Sequence, residues 1–319
     1  MLGFLQKKVR KDAQVAVCSD EHAISIARIR REKDVPPMLD LCEVQEHENL
    51  SVQGAEIARL TRVHHLGDYN CVSSLELGNY NLLLVEAPDV QPDELRAAIR
   101  WKIKDLIDFH IDDAVVDVFE VPNQKTAGRN KLMYAVVARA EIVQQRVDQL
   151  TRAGLNLGAI DIPELSLRNI TSLLPEDVGG VALVYIGQDS GLITITRQSI
   201  LYLSRRIESG LNRLPEKAIL ANDQNVIHQW LDGIIIEIQR SLDYYESHFS
   251  QPQVSSIVVA PLGREVPDVP AYLSGQLGVS TRMLNVNELI DVAAPVSSQM
   301  QSQCLLAIGA ALRQESRTL

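Results

Sequence analysis

A chain of 319 residues, 46% of them apolar and 23% charged, can bury the cores of two domains. Its net charge of -10 leaves no broad basic face to displace counterions from phosphate, which sets aside general nucleic-acid binding. No window approaches the roughly 20 apolar residues that span a bilayer. The opening residues, MLGFLQKKVRK, put Lys7, Lys8, Arg10 and Lys11 after the apolar stretch, the wrong order for a secretory signal. The chain is therefore expected in the cytoplasm, held at a membrane only through a partner. The basic start reads first as a solvated end and second as a surface anchor.

Residues 14–18 form an apolar strand, 19–22 a turn and 23–30 a second strand, which together make a hairpin. A third strand at 38–44, a helix at 51–63 with Val52, Ile57 and Leu60 on its apolar side, and strands at 71–77 and 81–86 follow. At Pro92 the period changes. Proline and two acids open a helix whose stripe is Leu95, Ile99, Ile103 and Leu106. Strands at 114–121 and 132–139 flank a polar loop with Gly128, and a helix at 140–153 is capped by Gly154. A strand at 158–162 and a helix at 163–174 lead to a connection at 175–180.

A second block opens with strands at 181–186, 192–197 and 200–205. A long helix carries Ile227, Leu231, Ile234, Ile238, Leu242 and Tyr245. It is followed by a strand at 254–260, a short helix at 271–276 closed near Gly278, a strand at 280–284 and a last helix at 299–313. Each half starts as strand, turn, strand and continues into helices, which predicts an internally duplicated α/β architecture.

Cys18, Cys42, Cys71 and Cys304 lack paired metal-ligand spacing and read as buried thiols. His64 and His65 are neighbours whose side chains point apart, so no metal is expected there. Asp112 and Asp113 read as a turn and Asp117 as the exposed face of a strand, not as ion ligands. Arg205 and Arg206 read as a solvated strand end.

Four stretches carry a family resemblance. LRAAIRWKIKDLIDF at 95–109 runs into IDDAVVDVF at 111–119; IEIQRSLDYYES lies at 236–247, VALVYIG at 181–187 and LAIGAALR at 306–313. In order and spacing the chain resembles the actin-like type IV pilus assembly proteins of the PilM family. Within that family it most resembles the MshI branch of the mannose-sensitive haemagglutinin (MSHA) pilus.

The resemblance implies duplicated actin-like (ribonuclease H-like) domains around a cleft. Domain I would span 13–175 with a small α+β subdomain inserted at about 88–153, domain II 176–298, and a helix at 299–313 would return to domain I. The implied role is a cytoplasmic, non-enzymatic assembly protein that docks the N-terminal tail of a bitopic inner-membrane, PilN-like partner and contacts a pilus motor ATPase.

In the actin-like family two glycine-bearing hairpins let backbone N–H groups approach phosphate, and an acid in each serves the metal ion. Here the first acid position holds Cys18 and the glycine position Asp20, with Ser19 between and Glu21 after it, so the loop repels anions. The second hairpin keeps Gly187 but has Tyr185 for its acid, leaving Asp189 beyond Gln188 as a displaced substitute. In the adenosine-side loop only Gly263 remains, after Pro261, which lacks a donor.

A degenerate nucleotide cleft of Cys18, Ser19, Asp20, Gly187, Gln188, Asp189 and Gly263 is expected, with no catalytic residue, no metal and no cofactor. The alternative keeps ATP with magnesium, nucleotide then gating partner binding. Trp101 is expected to cover the edge of its helix against the adjoining strands, or else to line a peptide groove with Ile107 and Phe109.

Overall fold

A computed structural model describes residues 9–33, 35–47, 49–91, 93–121 and 131–314. β1 (Arg10–Ser19), β2 (Ala23–Arg30) and β3 (Met38–Glu46) form an antiparallel meander. Helix α1 (Leu50–Val63), its first turn capped by the Asn49 side chain, carries the chain over to β4 (Tyr69–Ser74), which lies parallel to β1. Period-two alternation divides the sheet. Val15, Val17, Ile24 and Ile26 pack with Ile57 and Leu60 of α1, whereas Ala16, Cys18, Ala27 and Ile29 face the centre of the molecule.

The chain then leaves this sheet to build a smaller one. β5 (Tyr80–Glu86), α2 (Leu95–Ile103), β6 (Ala114–Glu120) and β7 (Leu132–Arg139) make a three-stranded antiparallel sheet in the order β5-β7-β6. Ile99 and Ile103 of α2 are fully buried against Val116, Val118, Met133, Ala135 and Val137. The opposite face turns Phe119 and Tyr134 toward the second domain. The inserted sheet thus opens at Tyr80, ahead of the expected boundary at 88. The expected helix opening at Pro92 and the Gly128 loop lie outside the described residues. Helix α3 (Ala140–Arg152) returns the chain to β8 (Asn156–Asp161), which is parallel to β4, with Gly154 at φ +86° turning the corner.

Helix α2 is shorter than the stripe through Leu106 suggested. Its last turn closes at Ile103, where Leu106 N–H bonds the Ile103 carbonyl, and Leu106 is 58% exposed. Asp105 and Asp108 follow at the negative end of the helix dipole, where acids disfavour further turns.

Helix α4 (Pro163–Thr171), with proline in its first turn, leads to the second domain. β9 (Val181–Ile186), β10 (Gly191–Arg197) and β11 (Ile200–Ile207) repeat the antiparallel meander. α5 (Glu216–Leu220) and the 26-residue α6 (Gln224–Phe249) precede β12 (Ser256–Val259), parallel to β9. α7 (Val269–Leu277) then leads to β13 (Thr281–Met283), parallel to β12. This sheet runs β11-β10-β9-β12-β13, the same order and directions as β3-β2-β1-β4-β8. The duplication expected from the strand–turn–strand openings is present as topology.

After α8 (Val286–Leu289), β14 (Asp291–Val292) lies parallel beside β3 as the sixth strand of the first sheet. The chain therefore rejoins the first domain before residue 299. α9 (Ser298–Ala311) then packs beside α4 against the inner face of that sheet. The layers run α1 and α3, first sheet, α9 and α4, second sheet, α6 and α7. No helix of the described residues is long and apolar enough to cross a membrane.

Candidate functional site: the cleft between the two hairpin turns

The turn joining β1 to β2 faces the turn joining β9 to β10 across a cleft of about 830 Å³, closed at the side by Ser302, Gln303 and Leu306 of α9. Cys18, Ser19 and Asp20 line one wall and Gly187, Gln188 and Asp189 the other. Gly263 is not part of the lining; a side chain there would point at Ser302 and Gln188. Six of the seven sequence-predicted positions therefore come together, and the adenosine-side loop sits behind them with Ala260 and Leu262 in the core.

The first loop is closed on itself. The Asp20 carboxylate accepts the backbone N–H groups of His22 and Ala23, both at 2.8 Å, and Asp20 N–H donates to the Ala23 carbonyl at 3.0 Å. Two amides of this turn are thus held by the turn's own carboxylate. Burial pushes the Cys18 thiol up to about 12, so a neutral thiol stands where the resemblance implies an acid. Burial, with the nearby Asp20 and Cys18 acting in the same direction, pushes the Tyr185 hydroxyl up to about 12, again leaving a neutral group.

The second loop is held from its own domain. Gly187 N–H donates to the Ser190 carbonyl at 2.9 Å, while the Gly187 and Gln188 carbonyls accept from Leu211 and Asn212 at 2.9 and 2.8 Å. The Asn212 amide donates to the Asp189 carboxylate at 2.9 Å. A side chain at Gly210 would overlap the Gln188 carbonyl, so a residue without Cβ lets the segment after β11 seat against the loop. One carboxylate oxygen of Asp189 is thus engaged on the second-domain side.

A buried arginine that the loop motifs gave no hint of ties the inserted segment to this wall. Arg146 of α3 donates to Ser19 Oγ, to the Ser19 carbonyl at 3.3 Å and to Glu76 at 3.0 Å. Burial raises the Glu76 pKa, and the Arg146 charge offsets that rise only in part. Behind it, Gln149 donates to Gln53 at 2.7 Å, and Gln53 donates to the Asp20 carbonyl at 2.9 Å. The remaining charged lining is mainly acidic (Asp20, Glu21, Glu46, Glu76 and Asp189), a potential that opposes a polyphosphate. Among the described residues no group of three His, Cys, Asp or Glu is placed to hold a metal ion.

Residues 84–221 match the family model described as type IV pilus assembly protein PilM. Among solved structures, a PilM–PilN type IV pilus biogenesis complex superposes over 94% of this chain and 97% of its own with a TM-score of 0.74 at 19% identity. The cytoplasmic domain of EpsL, an inner-membrane component of the type II secretion system of Vibrio cholerae, superposes over 95% and 96% with a TM-score of 0.51 at 12% identity. The fold is actin-like and PilM-like. At these identities the likeness is one of architecture, and the matched family segment runs from within β5 of the inserted subdomain to the end of α5 in the second domain.

Within this PilM-like fold the suggested peptide-contact residues divide. Ile107 and Phe109 pack against the core of the inserted subdomain, with the Arg139 guanidinium 4.3 Å from the Phe109 ring centre. Trp101 does not cover its own strands as expected. It is 72% exposed, with the Lys104 ammonium 3.5 Å from its ring centre. It lies on the solvent side of α2 because the buried stripe is Ile99 and Ile103. The other suspect clusters are structural: Asp117 pairs with Arg96, Arg205 with Glu237, Arg206 with Glu208, and His65 sits in a left-handed turn.

Proposed function

We propose that this chain is a non-enzymatic assembly protein of a type IV pilus machine, of the MSHA kind, that works in the cytoplasm beside the inner membrane. It docks the N-terminal tail of a PilN-like bitopic partner and presents it to the machine's motor ATPase. The observation that carries this reading is the first hairpin turn. Asp20 fills its own loop's amide positions, so the duplicated scaffold is retained while its phosphate site is occupied from within. The PilM–PilN complex, which shares the architecture, supplies the class of partner.

Trp101 supplies the docking anchor in this reading, since exposed tryptophans carry a disproportionate share of peptide-binding energy. Calorimetry with ATP and magnesium is expected to give no binding heat, and micromolar affinity would overturn the non-nucleotide reading. Binding of synthetic cytoplasmic tails of pilus inner-membrane proteins is expected, with Trp101→Ala weakening it at least about tenfold at an unchanged melting temperature. Failure of every such tail to bind would reject the docking role.

The cleft volume favours one second reading, in which nucleotide binds and gates the partner. It requires Asp20 or Asp189 to serve a metal ion, and unchanged ATP binding by Asp189→Ala would remove its main support.

A further inference from the structure

We propose that the end of the first domain where β1 begins is a docking surface for an anionic bilayer. A recess of about 700 Å³ opens there. Arg10 and Lys11 at the start of β1, Arg31 just past β2 and Arg313 just past α9 line it, with Glu32 the one acid among its described lining residues. Three separate parts of the chain therefore bring cations to one place on a molecule whose net charge is -10.

The cations are not equally committed. Arg10 pairs with Asp12 at 2.7 Å, and Arg313 with the buried Asp161 at 2.8 Å. Nearby, Asp40 takes both Arg28 and Arg30. Lys11 and Arg31 have no carboxylate partner among the described residues. Arg31 is half-buried, its guanidinium donating to the Leu312 carbonyl at 2.5 Å, and burial alone pushes its pKa down. A guanidinium that has lost water without gaining a counter-charge is stabilised by an arriving anion, and its planar fork matches phosphate oxygens.

The apolar part of the surface is beside it. Val35, 51% exposed, lines the same recess. Val9 and Pro37 line it as well. Cations interspersed with apolar side chains suit the boundary between headgroups and acyl chains, where a basic patch adds attraction to anionic lipid. This inference uses neither the cleft nor Trp101, so it stands or falls separately from the docking of a partner tail.

The test is vesicle flotation of the full chain with phosphatidylcholine alone and with phosphatidylcholine containing one quarter phosphatidylglycerol. The chain is expected to float only with the anionic vesicles and to be released by added salt. Lys11→Gln and Arg31→Gln are each expected to weaken binding about fivefold. Lys11 is exposed, so its variant reports on binding without risk to the fold, and thermal melts verify Arg31→Gln. No flotation, equal flotation with neutral vesicles, or full binding by the double variant would overturn the proposal. It also falls if vesicles fail to bind while inorganic phosphate raises the melting temperature of the wild type and not of the double variant; the recess is then a free-phosphate site.

Discussion

Arg146 shows how a single residue can organise a cleft. It occupies a position on the apolar stripe of α3, between Ile142 and Leu150, and is buried there. Buried arginines are rare unless paired, and this one is matched by Glu76 and by two oxygens of Ser19. Arg146→Met keeps the volume but strands Glu76 and the Ser19 carbonyl, and is expected to lower stability by about 3 kcal/mol in denaturant unfolding. Asp20, Cys18 and Tyr185 were legible in the sequence because a loop motif is read from neighbours along the chain. The Arg146 network was not, because its members come from residues 53, 76, 146 and 149, which only the fold brings together. The one local signal was a charge on an otherwise apolar helical stripe.

Among the elements, α9 and α4 meet closely enough to constrain composition. A Cβ on Gly309 would overlap the Ser166 carbonyl, and the Asn169 amide donates to the Gly309 carbonyl at 2.9 Å. The run Gly309, Ala310 and Ala311 is fully buried at this contact. Gly309→Ala, which would stabilise an exposed helix, is expected here to cost about 2 kcal/mol through displacement of α4, seen as a lower urea midpoint at unchanged slope. Strongly periodic elements such as α6 were readable from their apolar spacing. The end of α2 was not, since Leu106 continues the stripe arithmetically while the chain turns away after Ile103. Nor was β14, a two-residue strand that exists only because β3 offers it an edge.

At the scale of the whole molecule the inserted subdomain, the linking helix and the second domain converge on Glu164. This buried carboxyl of α4 bonds the Tyr80 hydroxyl of β5 at 2.5 Å and the Ser204 hydroxyl of β11 at 3.4 Å. Burial pushes it up to about 7, from an ordinary value of 4.5. The native state therefore binds a proton that the unfolded chain releases near 4.5, so stability falls as pH rises from about 4.5 through 7. The loss is on the order of 3 kcal/mol at most. Glu164→Gln is expected to flatten that part of the stability–pH profile and to stabilise the protein at pH 8 relative to wild type. An unchanged slope between pH 5 and 8 would show that the junction does not titrate there. The repeated strand order was legible as a duplication, whereas the Glu164 junction, drawn from positions 80, 164 and 204, was not.

The late return of β14 and α9 to the first sheet has a consequence for synthesis. A ribosome releases the first domain's strands early, yet the helix that covers their inner face is made only after the whole second domain. Throughout translation of the second domain, Ala16, Ala27, Ile29 and Leu39 have no permanent cover. The first domain cannot therefore complete its fold co-translationally ahead of the second, as an independent N-terminal domain would. A nascent chain arrested before residue 298 should be captured by chaperones and cut readily by protease, and release of α9 should end both vulnerabilities together.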